Sequence, residues 1–243
     1  MRIKILGTGG AINDGLPYNS FIVDNCLLVE TPPDIMNSLY REGIDRRNIS
    51  TIYISHFHGD HCFGLPFLLL KNFFDGYTDT IHIKGPAGIK KWVLDICSFA
   101  FGPENRMQDW VRTHIISEEV IEGRCITLGR GYSLTPIRMF HSAETYGFTL
   151  ESQGKRLLYI ADSSWDNSLL SYMDHADAVL IDLNGEKSDI VKVHISEEEL
   201  AEHALPRFKD KKIIFYGTHL RANKVSDIKQ IHYLQPGDEI VIT

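Results

Sequence analysis

Four cysteines, Cys26, Cys62, Cys97 and Cys125, are scattered along this chain with no Cys-x-x-Cys pair among them. That excludes a thiolate zinc knuckle and leaves no spacing legible as a disulfide framework. They read as reduced thiols of a cytoplasmic protein. Basic residues are the minority charge: 25 Lys and Arg against 32 Asp and Glu, a formal net charge of -7. Long polyanions are bound by many cations that neutralise phosphates, so a broad nucleic-acid footprint is not expected. No window approaches the roughly 18 to 20 apolar residues of a membrane span. The first residues, MRIKILGTGG, lack an apolar run of signal-peptide length. Internal repeats and low-complexity linkers are missing as well.

What is present suits a folded enzyme-sized unit. Hydrophobic residues at 43% with 10% aromatics fill a core, and 243 residues fit one large domain spanning 1–243. Strands are expected at Ile3–Leu6, Ser20–Val23, Cys26–Val29 after an Asp24-Asn25 hairpin turn, and Thr51–Ile54. More are expected at Ile81–Lys84, Ser133–Phe140, Gly147–Glu151, Leu157–Ile160, Ala178–Asp182, Lys212–Tyr216 and Glu239–Thr243. Helices are expected over Pro33–Glu42, Gly64–Phe73, Pro86–Phe99 and Ser196–Leu205, with a short one near Ser226–Tyr233. Ser196 followed by Glu199 is a capping-box pattern, which sets His194 just ahead of a helix. The alternation implies an α/β class, two mixed sheets face to face with helices outside. Periodicity alone does not choose it over other mixed folds.

The stretch SHFHGDHCFGLP, Ser55 to Pro66, follows an apolar strand and packs three histidines and an aspartate into His56–His61. His56 and His58, at i and i+2, share a side and reach one ion, while Asp60 and His61 address a second. Gly59 is expected to let the backbone bend between the pairs. Four side chains do not fill two coordination shells, so further donors are required at distant strand ends. His141, Asp162 and His219 each stand where an apolar stretch hands over to a loop. His82, His114, His175, His203 and His232 have no partner at ligand spacing and read as structural. Cys62 reads as a small buried residue, and Asp182, ending VLID, as a group that orients a histidine.

His-x-His-x-Asp-His, then a lone His, an Asp and a final His resembles the metallo-β-lactamase fold hydrolases along nearly the whole chain. GTGGA, HFHGDHCFGLP and the order TPIRMFHSAETYGFTLE, LLYIADSS, VLIDLN are similar to ribonuclease Z and to the cyclic phosphodiesterases of phosphonate breakdown. The resemblance implies a four-layer αββα sandwich. It also implies that His56, His58 and His141 hold one metal, that Asp60, His61 and His219 hold another, and that Asp162 bridges them. Nitrogen and oxygen donors suit zinc or manganese, with iron a third candidate. The implied reaction is hydrolysis of a small or cyclic phosphodiester by a metal-bridging hydroxide, with Asp60 orienting it and His194 as general acid. Gly9 and Gly10, through backbone amides, and the Ser142 hydroxyl are expected to contact phosphate.

Departures from the pattern narrow the choice. Glu30 stands where many relatives carry an Asp that braces the histidine loop, which puts that brace in question. The interval from His141 to Asp162 is too short for the transfer-RNA-gripping arm of ribonuclease Z, so structured RNA is not the expected partner. The cysteine-rich zinc site of the phosphonate enzymes is missing too, so their substrate does not carry over. A lactonase shares the same ligand set and stays open, as does a non-catalytic metal-dependent sensor or binding module. A homodimer is the base-rate expectation for a soluble protein.

Overall fold

Stretches such as SFIV and AVLID are short, predominantly apolar and buried at every position, as expected of strands covered on both faces. The computed structural model, which describes residues 1–103, 105–211 and 213–243, places them inside two seven-stranded sheets. With strands numbered in chain order, the first sheet runs β14 (Glu239–Val241), β1 (Arg2–Gly7), β2 (Ser20–Val23), β3 (Leu27–Val29), β4 (Thr51–Tyr53), β5 (Ile81–Gly85), β6 (Ile115–Glu119). The second runs β13 (Ile231–Tyr233), β12 (Phe215–Thr218), β11 (Ala178–Asp182), β10 (Lys155–Ile160), β9 (Tyr146–Ser152), β8 (Tyr132–Arg138), β7 (Ile126–Leu128).

Alternation along the strands decides which face meets which layer. Ile3, Ile5, Phe21, Val23, Leu27, Val29 and Tyr53 point toward the second sheet and join Leu134, Phe148, Leu150 and Tyr159 in the larger core. Their neighbours Leu6, Ile22, Leu28 and Ile52 point the other way, against α1 (Ile35–Arg41), α2 (Gly59–Cys62), α3 (Leu65–Phe74), α4 (Ile89–Phe101) and α5 (Arg106–His114). Residues of α6 (Leu169–Met173), α7 (Glu197–His203) and α8 (Leu205–Phe208) join the core on the second sheet's side. The result is the expected αββα sandwich. The Asp24-Asn25 hairpin also forms, with φ of 43° and 56° at the two turn residues, values that suit the twist of the flanking strands.

Some expectations are corrected. The stretch Ser226–Tyr233 holds no helix among its described residues; its end is β13, which pairs parallel with β12 through Phe215 and Ile231. A ladder along an open sheet edge outweighs one helical turn's worth of pattern there. The strand expected from Lys212 starts at Phe215, because pairing with β11 sets its register from Val179↔Phe215 to Asp182↔Thr218; Lys212 itself lies outside the described residues. Helix α5 and strand β6 were not anticipated.

Candidate metal centre

Strands β3 to β6 run parallel, as do β10 to β13, so the loops that follow them gather at common sheet edges. His56–His61 follows β4, Asp162 follows β10, Asp182 ends β11 and His219 follows β12, while His141 leaves β8. The carboxyl ends of parallel strands are where α/β sheets present functional groups. The histidine loop is held from several sides. Ser55 N–H donates to Glu30 Oε2 at 3.2 Å, Tyr146 N–H donates to the Ser55 carbonyl at 3.0 Å, and Ser55 Oγ lies 2.9 Å from His56 Nδ1. Gly59 has an ordinary negative φ, since it is not among the positive-φ glycines. A Cβ there would stand 2.9 Å from the ring of the exposed Phe63, which would have to turn aside.

The seven residues expected as ligands come together. Ligand atoms of His56, His58, His141 and Asp162 lie within 4.8 Å of one another, and so do those of Asp60, His61 and His219. Asp162 faces both sets with different oxygens. Its Oδ2 is 3.9 Å from His56 Nε2 and 3.9 Å from His141 Nε2, whereas its Oδ1 is 3.3 Å from His61 Nε2 and 3.5 Å from His219 Nδ1. His58 Nδ1 and His141 Nε2 are 3.3 Å apart, and His219 Nε2 is 3.1 Å from Asp60 Oδ2.

His56 Nε2, both ring nitrogens of His61 and Asp162 Oδ1 are buried without a hydrogen-bond partner. Orphaned buried polar atoms are costly; His61 Nδ1 faces Glu30, and the other three, His56 Nε2, His61 Nε2 and Asp162 Oδ1, meet in one place that suits bound cations. The electrostatics agree. Burial opposes charge on His219, yet Asp162, Asp182 and Asp60 outweigh it and push that ring up to about 10. Burial opposes charge on His61 as well, and Asp162 with Glu30 still raise it well above the ordinary range. His56 is pushed down, first by burial and then by the facing His61. Positive charge between Asp162 and Asp60 is strongly favoured, and the donor set is able to hold metal.

Outer partners orient the rings. Glu30, fully buried with φ of 65°, places Oε1 3.5 Å from His61 Nδ1 and accepts from the Tyr159 hydroxyl at 3.2 Å. The longer side chain therefore reaches the bracing position that was in question. His141 Nδ1 lies 3.2 Å from the Val193 carbonyl, the geometry of a donated N–H. Asp182 Oδ2 accepts from His194 Nδ1 at 2.7 Å and from Ser163 N–H at 3.2 Å, while its Oδ1 accepts from Asn184 N–H at 3.0 Å. His194 sits beside the metal donors, its ring centroid 5.5 Å from that of His141 and 5.2 Å from that of His219.

The glycine turn is not the amide cradle expected of it. Gly9 N–H donates to the Pro17 carbonyl at 2.7 Å and Gly10 N–H to the Leu220 carbonyl at 2.9 Å, so neither is free for phosphate. Gly10 matters for its lack of a side chain, because a Cβ there would overlap Asn184 Nδ2. Ser142 is exposed next to His141. Cys62 is fully buried and donates to the His58 carbonyl at 3.0 Å, and burial pushes its thiol up. The remaining histidines lie elsewhere: His203 stacks on Trp165, and His232 Nε2 meets the Lys229 carbonyl at 3.1 Å. Asn184 and Arg221 were missed; an Asn-Gly pair directly after a strand, and a cation two residues past a ligand, were the available signals.

The family described as "Anti-Pycsar protein Apyc1" matches residues 1–237. Ribonuclease Z of Picrophilus torridus is 41% identical over 106 residues, which are 40% of this chain and 34% of that protein. The match thus spans about a third of that relative's own length. The short form of human tRNase Z (ELAC1) superposes with a TM-score of 0.78 at 16% identity, covering 100% of each chain. The metallo-β-lactamase fold protein YhfI from Bacillus subtilis superposes with a TM-score of 0.76 at 16% identity over 98% of each chain. At that identity the solved structures establish the fold, the metallo-β-lactamase fold. The expectation against structured RNA finds no support here, since two of these proteins are named for ribonuclease activity.

Proposed function

This chain belongs to the Anti-Pycsar protein Apyc1 family, and from that premise we propose that it is a dinuclear metal-dependent hydrolase cleaving a small or cyclic phosphodiester. The observation that carries the reading is the division of Asp162, whose two oxygens address two separate sets of donors. In this reading His56, His58 and His141 hold one ion, Asp60, His61 and His219 the other, and Asp162 is common to both. Zinc or manganese suits these nitrogen and oxygen donors. Bound ions supply Lewis acidity toward the phosphoryl oxygens and lower the pKa of water toward neutrality.

The chain's own groups do the rest. Asp60 turns Oδ2 toward His61 and His219, at 3.4 and 3.1 Å, which leaves Oδ1 to accept a hydrogen bond from the attacking water. His194 gives its Nδ1 proton to the bond with Asp182, so Nε2 is the atom that delivers a proton to the leaving alkoxide. Burial opposes charge on His194, but Asp182 outweighs it and keeps the ring protonated to higher pH. In this reading the exposed Ser142 hydroxyl, next to His141, donates to a phosphoryl oxygen.

The test is metal content per chain by elemental analysis, with turnover of bis-nitrophenyl phosphate and of a homoserine lactone on the same sample. Two ions and phosphodiester cleavage are expected. Lactone opening alone would keep the centre and replace the substrate class with a carboxylic ester. Tight metal binding with no turnover of either would favour a sensor. Asp162→Ala is expected to lose at least one ion per chain, and full retention of two would refute the bridging role.

A further inference from the structure

The loop from Asn184 to Val193 joins the end of β11 to His194, and it touches three parts of the candidate centre. Its first residue, Asn184, is 5% exposed and sets Nδ2 3.3 Å from His219 Nδ1. Its last, Val193, offers the carbonyl that meets His141 Nδ1 at 3.2 Å. The next residue is His194. Hydrogen bonds from Asn184 N–H to Asp182 and from Gly185 N–H to the Ile195 carbonyl tie down one end of the loop, and one side chain reaches both that end and the turn beyond it. Arg221 Nε donates to Asn184 Oδ1 at 2.9 Å, and its Nη2 donates to Asp189 Oδ2 at 2.6 Å. Asp189 Oδ2 also accepts from Glu186 N–H at 2.9 Å, so the second limb of the guanidinium grips the loop at its turn.

The base of Arg221 is itself fixed. Its carbonyl accepts from Asp14 N–H at 2.8 Å, and the preceding Leu220 is bonded to the Thr8–Gly10 turn in both directions. The first limb also resolves the Asn184 amide. Arg221 has donors only, so the amide oxygen must face it and the amide nitrogen must face His219.

We propose that Arg221 is a positioning residue that holds the loop presenting His194 at two points, through Asn184 with one limb and through Asp189 with the other. The inference rests on the reading above, in which His194 is the proton donor. A planar guanidinium supplies two fixed donors at once, which a lysine ammonium does not. The two limbs therefore grip one loop at two points.

The test uses the full chain, stripped with chelator and titrated with Zn2+ by calorimetry. It is paired with turnover of bis-nitrophenyl phosphate and of a cyclic diester whose leaving group is an alkoxide. Asn184→Ala and Asp189→Ala are each expected to keep both Zn2+ binding steps and to slow the alkoxide diester about 10-fold more than the nitrophenyl one. Arg221→Met shows the same selective loss, and Arg221→Lys recovers it only in part. The proposal is overturned if Asn184→Ala or Asp189→Ala slows both diesters equally, or if Arg221→Met leaves the ratio of the two rates unchanged. Thermal melts check folding, and if Arg221→Met fails to fold, the two single-limb variants still decide. Failure of the underlying reading shows separately, as an unaltered chain that binds no Zn2+ or a His194→Ala variant indifferent to the leaving group.

Discussion

At the scale of single residues, the centre depends on side chains whose partners were chosen by the fold. His194 is raised above its ordinary 6.5 because Asp182 outweighs the burial that would lower it. The proton donor proposed above works only while protonated, so activity on an alkoxide diester should fall as pH rises through that raised value. Asp182→Asn removes the charge, and the alkaline limb of the pH–rate profile should move to lower pH; an unmoved limb would exclude this pair as its origin. His194→Ala should slow the alkoxide diester at least about 100-fold while sparing nitrophenolate release, which barely needs the proton. Glu30 makes a different demand. Replacing it by Leu strands the Ser55 N–H and the Tyr159 hydroxyl without an acceptor and removes the carboxylate facing His61 Nδ1, at a cost of about 2 kcal/mol or more. Denaturant unfolding measures that loss, and an unchanged midpoint would mean the brace is redundant.

At the scale of elements, capping and strand register carry the functional groups. Helix α7 starts with a complete capping box: Ser196 Oγ accepts from Glu199 N–H at 3.2 Å, and Glu199 Oε2 accepts from Ser196 N–H at 2.9 Å. Gly185 N–H donates to the Ile195 carbonyl at 2.9 Å, so the cap and the loop before it close together around His194. Ser196→Ala should cost about 1 kcal/mol in denaturant unfolding and leave metal content intact. This helix was legible because its cap is local in sequence. Helix α5 was not, although Asn105 caps it by accepting from Gln108 N–H at 3.0 Å, because its polar stretch shows only a narrow apolar face around Met107 and Val111. The missed β6 is a half-exposed edge strand, IISEE, whose pairing with β5 supplies what its composition does not.

At the scale of the whole molecule, the donors tie the two sheets together. The histidine loop belongs to the first sheet, while His141, Asp162 and His219 leave strands of the second. Ions held there bind the folded chain and not the unfolded one. Each is expected to stabilise by about 2.7 kcal/mol when free metal exceeds its dissociation constant 100-fold. Chelation should lower Tm, and returning zinc or manganese should restore it in a concentration-dependent way. A Tm indifferent to metal would contradict a centre shared between the sheets. No helix is long and apolar enough to cross a membrane among the described residues.

Sequence by itself determined the donor chemistry, His and Asp in a dense loop with further donors at distant strand ends, because residue type and short-range periodicity are written locally. It also determined the turn at Asp24-Asn25 and the cap at Ser196. Tertiary structure decided which oxygen of Asp162 faces which histidine, that Glu30 rather than an aspartate braces His61, and that the glycine turn has no free amides. It alone brought Asn184 to the ring of His219 and Arg221 to Asn184 and Asp189. These are contacts between segments far apart in the chain, set by the register of parallel strands and by what each buried polar atom must find as a partner, and no local pattern encodes either.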